Sequence, residues 1–432
     1  MATEQSTASA AKTMREASCA DDYDPNSMPV AKARDLIATF LTPVTAIERV
    51  PVRTALGRVL AADIISPVAV PAHDNSAMDG YAVRFADLKP DAETVLKRVG
   101  ESFAGKPWRG PIGAGECVRI FTGGVLPEGT DTVVMQERVR EDERGVRVIV
   151  GAVAKLGTNR RFAGEDLKQG QTVFRAGQRV RPAELGMIAS LGLGEVSVYR
   201  KLRVAFFSTG DELRSVGTPL GPGEIYDSNR YTLHGMLTRL GCETVDMGVV
   251  ADVPEKLERA FATAADAADV IITSGGVSVG EADYVKQLLE KLGEVLFWKI
   301  AMKPGRPLAY GKIGGAHFFG LPGNPVAVMV TFYEFVRDAL LVLQGQRAIE
   351  PLPTFKVPLS APIRKMPGRT EFQRGILTAD GKNGWTVRTT GDQGSGILSS
   401  MSQANCFIVL STETGNVAAG ELVDVQILEG LI

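Results

Sequence analysis

Thr273-Ser-Gly-Gly-Val-Ser-Val-Gly-Glu-Ala-Asp283 follows the apolar run Ala268-Asp-Val-Ile-Ile272 and precedes Tyr284-Val-Lys-Gln-Leu-Leu-Glu-Lys-Leu292. The run before it reads as a buried strand, and the apolar spacing after it is helical. Between them Gly275, Gly276 and Gly280 let the backbone turn sharply and expose N–H groups. A strand-to-helix junction of this kind holds phosphate, because the donors point outward and the helix dipole favours negative charge. Asp283 sits oddly there, since a carboxylate repels phosphate unless a cation lies between them. For one loop alone, a plain strand-to-helix connection accounts equally well for the glycines.

The same alternation continues on both sides. Arg203–Ser208, Glu243–Val250, 269–273, Val295–Ile300, Leu308–Gly311 and His317–Leu321 read as strands, with helices at 229–240, 254–267, 282–292 and from Pro325 onward. Strands alternating with helices predict a doubly wound, mainly parallel sheet over 201–346. Ligands of such sheets bind outside the carboxyl ends of the strands. Four glycine-bearing loops fall at those ends: Ser208-Thr-Gly-Asp-Glu212, Ser274–Asp283, Lys303-Pro-Gly-Arg-Pro307 and Leu321-Pro-Gly-Asn-Pro325. Together they predict a binding crevice. Lys299, Lys303 and Arg306 can gather anionic oxygens, while Asp211, Glu212, Asp252 and Asp283 are carboxylates at the same edge. That mixture suits a phosphorylated ligand held partly through Mg²⁺. Asp252, just ahead of Pro254 and a helix, is equally readable as a helix cap.

The rest of the chain has a different texture. Residues 1–28, rich in Ala, Ser and Asp, read as a mobile tail with no secretory signal. Val30–Leu41 reads as an amphipathic helix and Arg53–Ala62 as a second helix, leading into a proline-broken segment. Short strands and turns fill 73–164, a mostly β module inserted between 29–72 and 165–200, which form a discontinuous linking domain. Residues 347–432 return to short strands, as in a small β-barrel. The expected fold is thus multidomain α/β. Asp79 and Thr122 in the insertion, and Arg374 and Ser395 near the C-terminus, sit in polar clusters more elaborate than turns need, although a surface turn accounts for each cluster taken alone.

Bulk properties narrow the function. A length of 432 residues suits about three domains. With 48 basic and 50 acidic side chains, nothing points to nucleic acid or an anionic membrane. Four scattered cysteines (Cys19, Cys117, Cys242, Cys406) and three histidines argue against zinc and suit a reducing, cytoplasmic setting.

Asp74–Tyr81, Phe121-Thr-Gly, Gly164-Glu-Asp166, Phe207–Glu212, Ser274–Asp283, Met302–Pro307 and Gly320–Pro325 occur in this order. On these motifs the chain from about residue 30 resembles the MoeA family of molybdopterin molybdenumtransferases, related to the gephyrin E domain. The resemblance implies insertion of molybdate into adenylylated molybdopterin, giving molybdenum cofactor and AMP, with Mg²⁺ required. It further implies an elongated homodimer whose cleft is shared between subunits, and a separate protein that supplies the adenylylated substrate. By motif match it assigns catalytic roles to Asp79, Asp252, Asp283, Lys299 and Lys303, with Asp283 and Asp252 on Mg²⁺. Substrate contacts fall to Thr122, Asp166, Glu212, Ser274, Gly275, Gly276, Ser278, Arg306, Pro307, Pro322, Pro325, Arg374 and Ser395. Three positions depart from the family pattern: Arg306 for a lysine, Ala327 for a serine, and Val253 where a second acid is usual. A non-catalytic molybdopterin carrier or scaffold is the alternative.

Overall fold

The computed structural model describes residues 14, 28–276, 283–381 and 384–428, grouped in two compact units. One comprises residues 49–56 and 60–197; the other comprises residues up to 48, 57–59 and 198 onward. In the latter, α1 (Val30–Thr39) buries Ala33, Leu36 and Ile37 and ends ahead of Pro43, as its sequence predicts.

The 49–197 unit holds a six-stranded sheet of β1 (Gly80–Val83), β2 (Thr94–Ser102), β3 (Glu116–Ile120), β4 (Thr132–Met135), β5 (Val139–Asp142) and β6 (Gly145–Val148). Their order is β4-β1-β3-β2-β6-β5, mostly antiparallel, with the β2–β3 pair parallel. Tyr81, Val83, Leu96, Cys117, Val134, Val146 and Val148 pack together on it. A helix, α2 (Pro182–Ser190), starts with Pro at its first turn and a capping box between Arg181 and Glu184. The helix expected over Arg53–Ala62 does not form. Only a 3₁₀ turn (Val52–Thr54) does, Gly57 takes a φ of +77°, and the Leu60 and Ala61 N–H groups donate to Gln178 and Ser197. Long-range pairing outweighs the local helical spacing there.

The other unit carries the alternation. In chain order come β7 (Arg203–Thr209), α3 (Ser228–Arg239), β8 (Glu243–Val250), α4 (Pro254–Ala267), β9 (Val270–Ser274), α5 (Asp283–Leu292), β10 (Gly293–Lys299), β11 (Pro307–Ile313), β12 (Ala316–Leu321), α6 (Pro325–Thr331) and α7 (Arg337–Leu343). The sheet runs β8-β7-β9-β12-β11-β10. Pairs β7–β8, β7–β9 and β9–β12 are parallel; β11 and β10 close one edge antiparallel. Successive β7 residues serve opposite faces: Val204 and Phe206 join one core with α3, α6 and α7, whereas Ala205 and Phe207 join another with α4 and α5. Period-two burial on both faces is why these strands read as continuous apolar runs. The long helix expected from Pro325 is interrupted by a π-helical stretch, Phe332–Val336.

Beyond it lie β13 (Thr354–Pro358), β14 (Thr370–Ala379), β15 (Trp385–Thr389), α8 (Leu398–Gln403), β16 (Cys406–Leu410) and β17 (Leu422–Ile427). The order β14-β16-β17-β13 is extended by β15 on β14, and a Leu359–Val387 bridge closes the sheet on itself. Met302–Lys303 adds to this sheet alongside β14, so the Lys303 loop belongs to both sheets' architecture. Among the described residues no helix is long and apolar enough to cross a membrane.

Candidate active site

Two adjoining cavities open at the carboxyl ends of β7, β9 and β12 and share Gly323 and Asn324 as a common wall. The first, about 550 Å³, is lined by Glu212, Asp227, Asn229, Asp252, Ser274 and Gly276 among others. The second, about 600 Å³, is lined by Lys303, Arg306, Pro307, Pro322, Arg369 and Ser395 among others. The described lining of the first contains carboxylates and no basic side chain; the second contains three basic side chains and Asp392. The crevice is therefore divided by sign.

In the first cavity the strand ends set the geometry. Gly275 has a φ of +91°, and a Cβ there would meet the Thr209 carbonyl oxygen at 2.5 Å, so this turn needs glycine. The Gly275 N–H donates to the Leu321 carbonyl, and Ser274 Oγ donates to that of Pro322, tying β9's loop to β12's. Asn229 completes the tie: its amide nitrogen donates to Ser274 Oγ at 2.8 Å and to the Gly323 carbonyl at 2.6 Å. Asp227 caps α3 by accepting from the Arg230 N–H and also accepts from Ser208 Oγ. Asp252 does not cap α4, whose cap position is Val253. Burial, then the Asp211 carboxylate, pushes the Asp252 carboxyl above its ordinary range; Thr209 opposes and Glu212 adds to the rise. No group of three or more His, Cys, Asp or Glu arranged for a metal occurs among the described residues. An acid-lined wall with a destabilised carboxylate nevertheless fits a largely hydrated Mg²⁺, which takes one or two carboxylates plus phosphate oxygens.

In the second cavity the Lys303–Pro307 loop is fixed at both ends. Met302 and Lys303 pair with Thr370 and Glu371, and Lys303 Nζ lies 3.8 Å from the Glu371 carboxylate with its side chain half exposed. Gly305 has a φ of +94°, and a Cβ there would meet Thr331 Oγ1 at 2.5 Å. The opposite wall, Gln393–Ser395, is pinned by the Ser395 carbonyl accepting from the Val326 N–H.

Several carried-over residues lie elsewhere. Arg374 is 1% exposed and lines neither cavity. Its guanidinium donates to Ser400 Oγ and the Gly394 carbonyl, so it supports the Ser395 loop from behind. Lys299 ends β10 without reaching either lining. Asp79, Thr122 and Asp166 belong to the 49–197 unit. There Asp79 accepts from both the N–H and the hydroxyl of Thr122 at 2.8 Å, which holds its carboxyl below the ordinary range. Ser278 lies outside the described residues, as does the Asp283 side chain, although α5 begins at Asp283. Sequence reasoning passed over Asp227 and Asn229, whereas Asn324 and Arg369 fall in stretches it did single out, the Leu321–Pro325 loop and the cluster leading to Arg374. The signal was present in Ile225-Tyr-Asp-Ser-Asn229, which reads as an ordinary helix start.

Residues 28–192 match the MoeA N-terminal region (domain I and II), 205–342 a probable molybdopterin binding domain, and 356–428 the MoeA C-terminal region (domain IV). The chain is 46% identical to a molybdopterin molybdenumtransferase of Haemophilus influenzae, over 91% of this chain and 97% of that protein. It is 37% identical to one of Nostoc sp., over 88% of each. The crystal structure of a molybdopterin biosynthesis MoeA protein from Pyrococcus horikoshii matches with a TM-score of 0.79 at 30% identity, over 93% of this chain and all of that one.

Proposed function

The chain belongs to the MoeA family and serves molybdenum insertion in molybdenum cofactor biosynthesis; on that premise we propose which of its residues carry the reaction. The observation that carries the reading is the division of the crevice by sign at the Gly323–Asn324 wall. Adenylylated molybdopterin spans the wall. Molybdate, a dianion, takes the cavity of Lys303, Arg306 and Arg369, where Arg306 supplies a forked donor and Lys303 a point charge. The substrate's anhydride lies over the Ser274–Gly276 turn. Water attacks one phosphorus; a P–O bond forms, the P–O–P bond breaks, and AMP leaves. Asp252, whose raised affinity for a proton suits a general base, takes the proton water loses. Mg²⁺, when bound through Glu212 and Asp283, would polarise phosphoryl oxygen and offset developing charge.

Asp79 and Thr122 are part of the proposal as groups that a second copy contributes, in a homodimer with shared clefts. What supports this is an Asp79 carboxylate kept ionised by two Thr122 donors on an accessible surface. The four-part division of the chain is supported by the insertion's separate sheet and the closed C-terminal sheet. The three free cysteines among the described residues support a cytoplasmic setting.

The experiment is molybdate-dependent AMP release from adenylylated molybdopterin. Lys303→Ala is expected to abolish it while the protein stays folded; unchanged release would reject the assignment of the second cavity.

A further inference from the structure

Asn229 stands in the second position of α3, is 8% exposed, and lines the acid-walled cavity. Both of its amide hydrogens are spent, on Ser274 Oγ and the Gly323 carbonyl. A carbonyl can only accept, so the side chain's orientation is fixed: nitrogen toward the loops, oxygen the other way. That Oδ1 is buried and has no hydrogen-bond partner. An unmet buried acceptor is costly, because it has given up its hydrogen bond to water and gained none in return. Turning the amide to satisfy it would break both of the bonds that Asn229 makes to the β9 and β12 loops, so the chain cannot relieve the cost internally.

The surroundings specify what can. This cavity presents acceptors on Glu212, Asp227 and Asp252 and no basic side chain among its described lining. Its carboxylates repel an anion unless Mg²⁺ lies between them, so beyond the Mg²⁺-bridged anhydride the cavity suits an uncharged, donor-bearing end. We propose that Asn229 Oδ1 accepts a hydrogen bond from an N–H or O–H group on a neutral end of the adenylylated pterin, and so selects which end enters this cavity. The adenosine end offers ribose hydroxyls and an exocyclic amine, and the pterin end an exocyclic amine and a ring N–H. The inference rests on the reading of the crevice given above, and it adds a substrate-contacting residue to it.

The test is calorimetric binding to the full chain with paired probes: AMP against 2′-deoxy-AMP and IMP, and pterin against lumazine. In the wild-type protein one pair is expected to differ by about tenfold or more, the equivalent of one lost buried hydrogen bond. In Asn229→Ala the same pair converges to within about twofold, and the pair that converges identifies the end. Equal separation in both proteins, or no separation by the wild type of any pair, overturns the inference. Should Asn229→Ala fail to fold, a crystal structure of the wild type with the tighter probe decides. Oδ1 at about 3 Å from the deleted donor supports the contact, and an Oδ1 still without ligand overturns it. Failure of both AMP and pterin to bind the wild type would instead overturn the functional reading of the crevice, and this inference with it.

Discussion

Gly305→Ala should damage molybdate use far more than it damages folding. Gly305 lies at φ +94°, and an added Cβ meets Thr331 Oγ1 at 2.5 Å, roughly 0.5–1 Å inside van der Waals contact. Thr331 is fully buried on α6 and cannot swing away. Keeping the loop in place would cost about 1–2 kcal/mol for the left-handed backbone and about 1–3 kcal/mol for overpacking. The less costly response is for residues 303–307 to lift, carrying Lys303 and Arg306 away from the cavity they line. A displacement of about 1 Å in positioned groups costs on the order of a hundredfold in rate. AMP release followed against molybdate concentration should show that loss mainly as a raised molybdate requirement, with a melting temperature lowered by only a few degrees. Thr331→Ala in the same chain separates the two causes. Thr331 Oγ1 has no hydrogen-bond partner, so its removal is tolerable on its own and takes away the steric half of the penalty. The double variant should recover part of the molybdate response and not all of it, because the backbone strain persists. A Gly305→Ala protein with wild-type molybdate dependence, or a double variant no better than the single, would refute the reasoning.

Asp252→Asn should remove Mg²⁺-stimulated AMP release while leaving the melting curve unchanged or slightly raised, since the carboxylate is held against its own burial and the charges of Asp211 and Glu212; persistent Mg²⁺ stimulation would count against its role. Asp269 is pushed up by burial but pulled below its ordinary range overall by Arg200 and the Arg203 N–H. Its stabilisation is therefore present above the unfolded value of about 4 and lost as pH falls through the lower folded value. Denaturant titrations of wild type and Asp269→Asn should differ by about 1–2 kcal/mol at neutral pH and converge in acid. Cys117, Cys242 and Cys406, whose thiols burial pushes up to about 12, should resist a neutral thiol reagent until the protein is unfolded; rapid labelling of any of them in the native state would contradict that burial.

Local signals made much of this molecule legible before any coordinates. Strand and helix periods are properties of neighbouring residues, so β7 to α6 could be read almost to their ends, and strand ends then nominate the crevice loops without knowledge of contacts. What failed depended on distant chain. Arg53–Ala62 has helical spacing, yet Leu60 and Ala61 find partners at Gln178 and Ser197, more than a hundred residues on. Arg374 carries the charge expected of an anion ligand, but no local pattern shows that its guanidinium is consumed by Gly394 and Ser400 beneath the loop. Asn229 is the converse case. It reads as one polar residue at a helix start, where Asp227 already supplies the cap, and only the bond to Gly323 makes it a hinge-pin between two loops. Residue type thus locates the chemistry along the chain, whereas the direction in which a side chain spends its donors decides whether it faces the ligand or the scaffold. On that criterion the crevice is built from two classes of polar residue. Arg374 and Ser395 spend donors or carbonyls on holding walls together, while Lys303 stays half exposed and Asn229 keeps an unspent acceptor. The second class is where substitutions should change substrate preference, and the first is where they should change how firmly the two cavities are held.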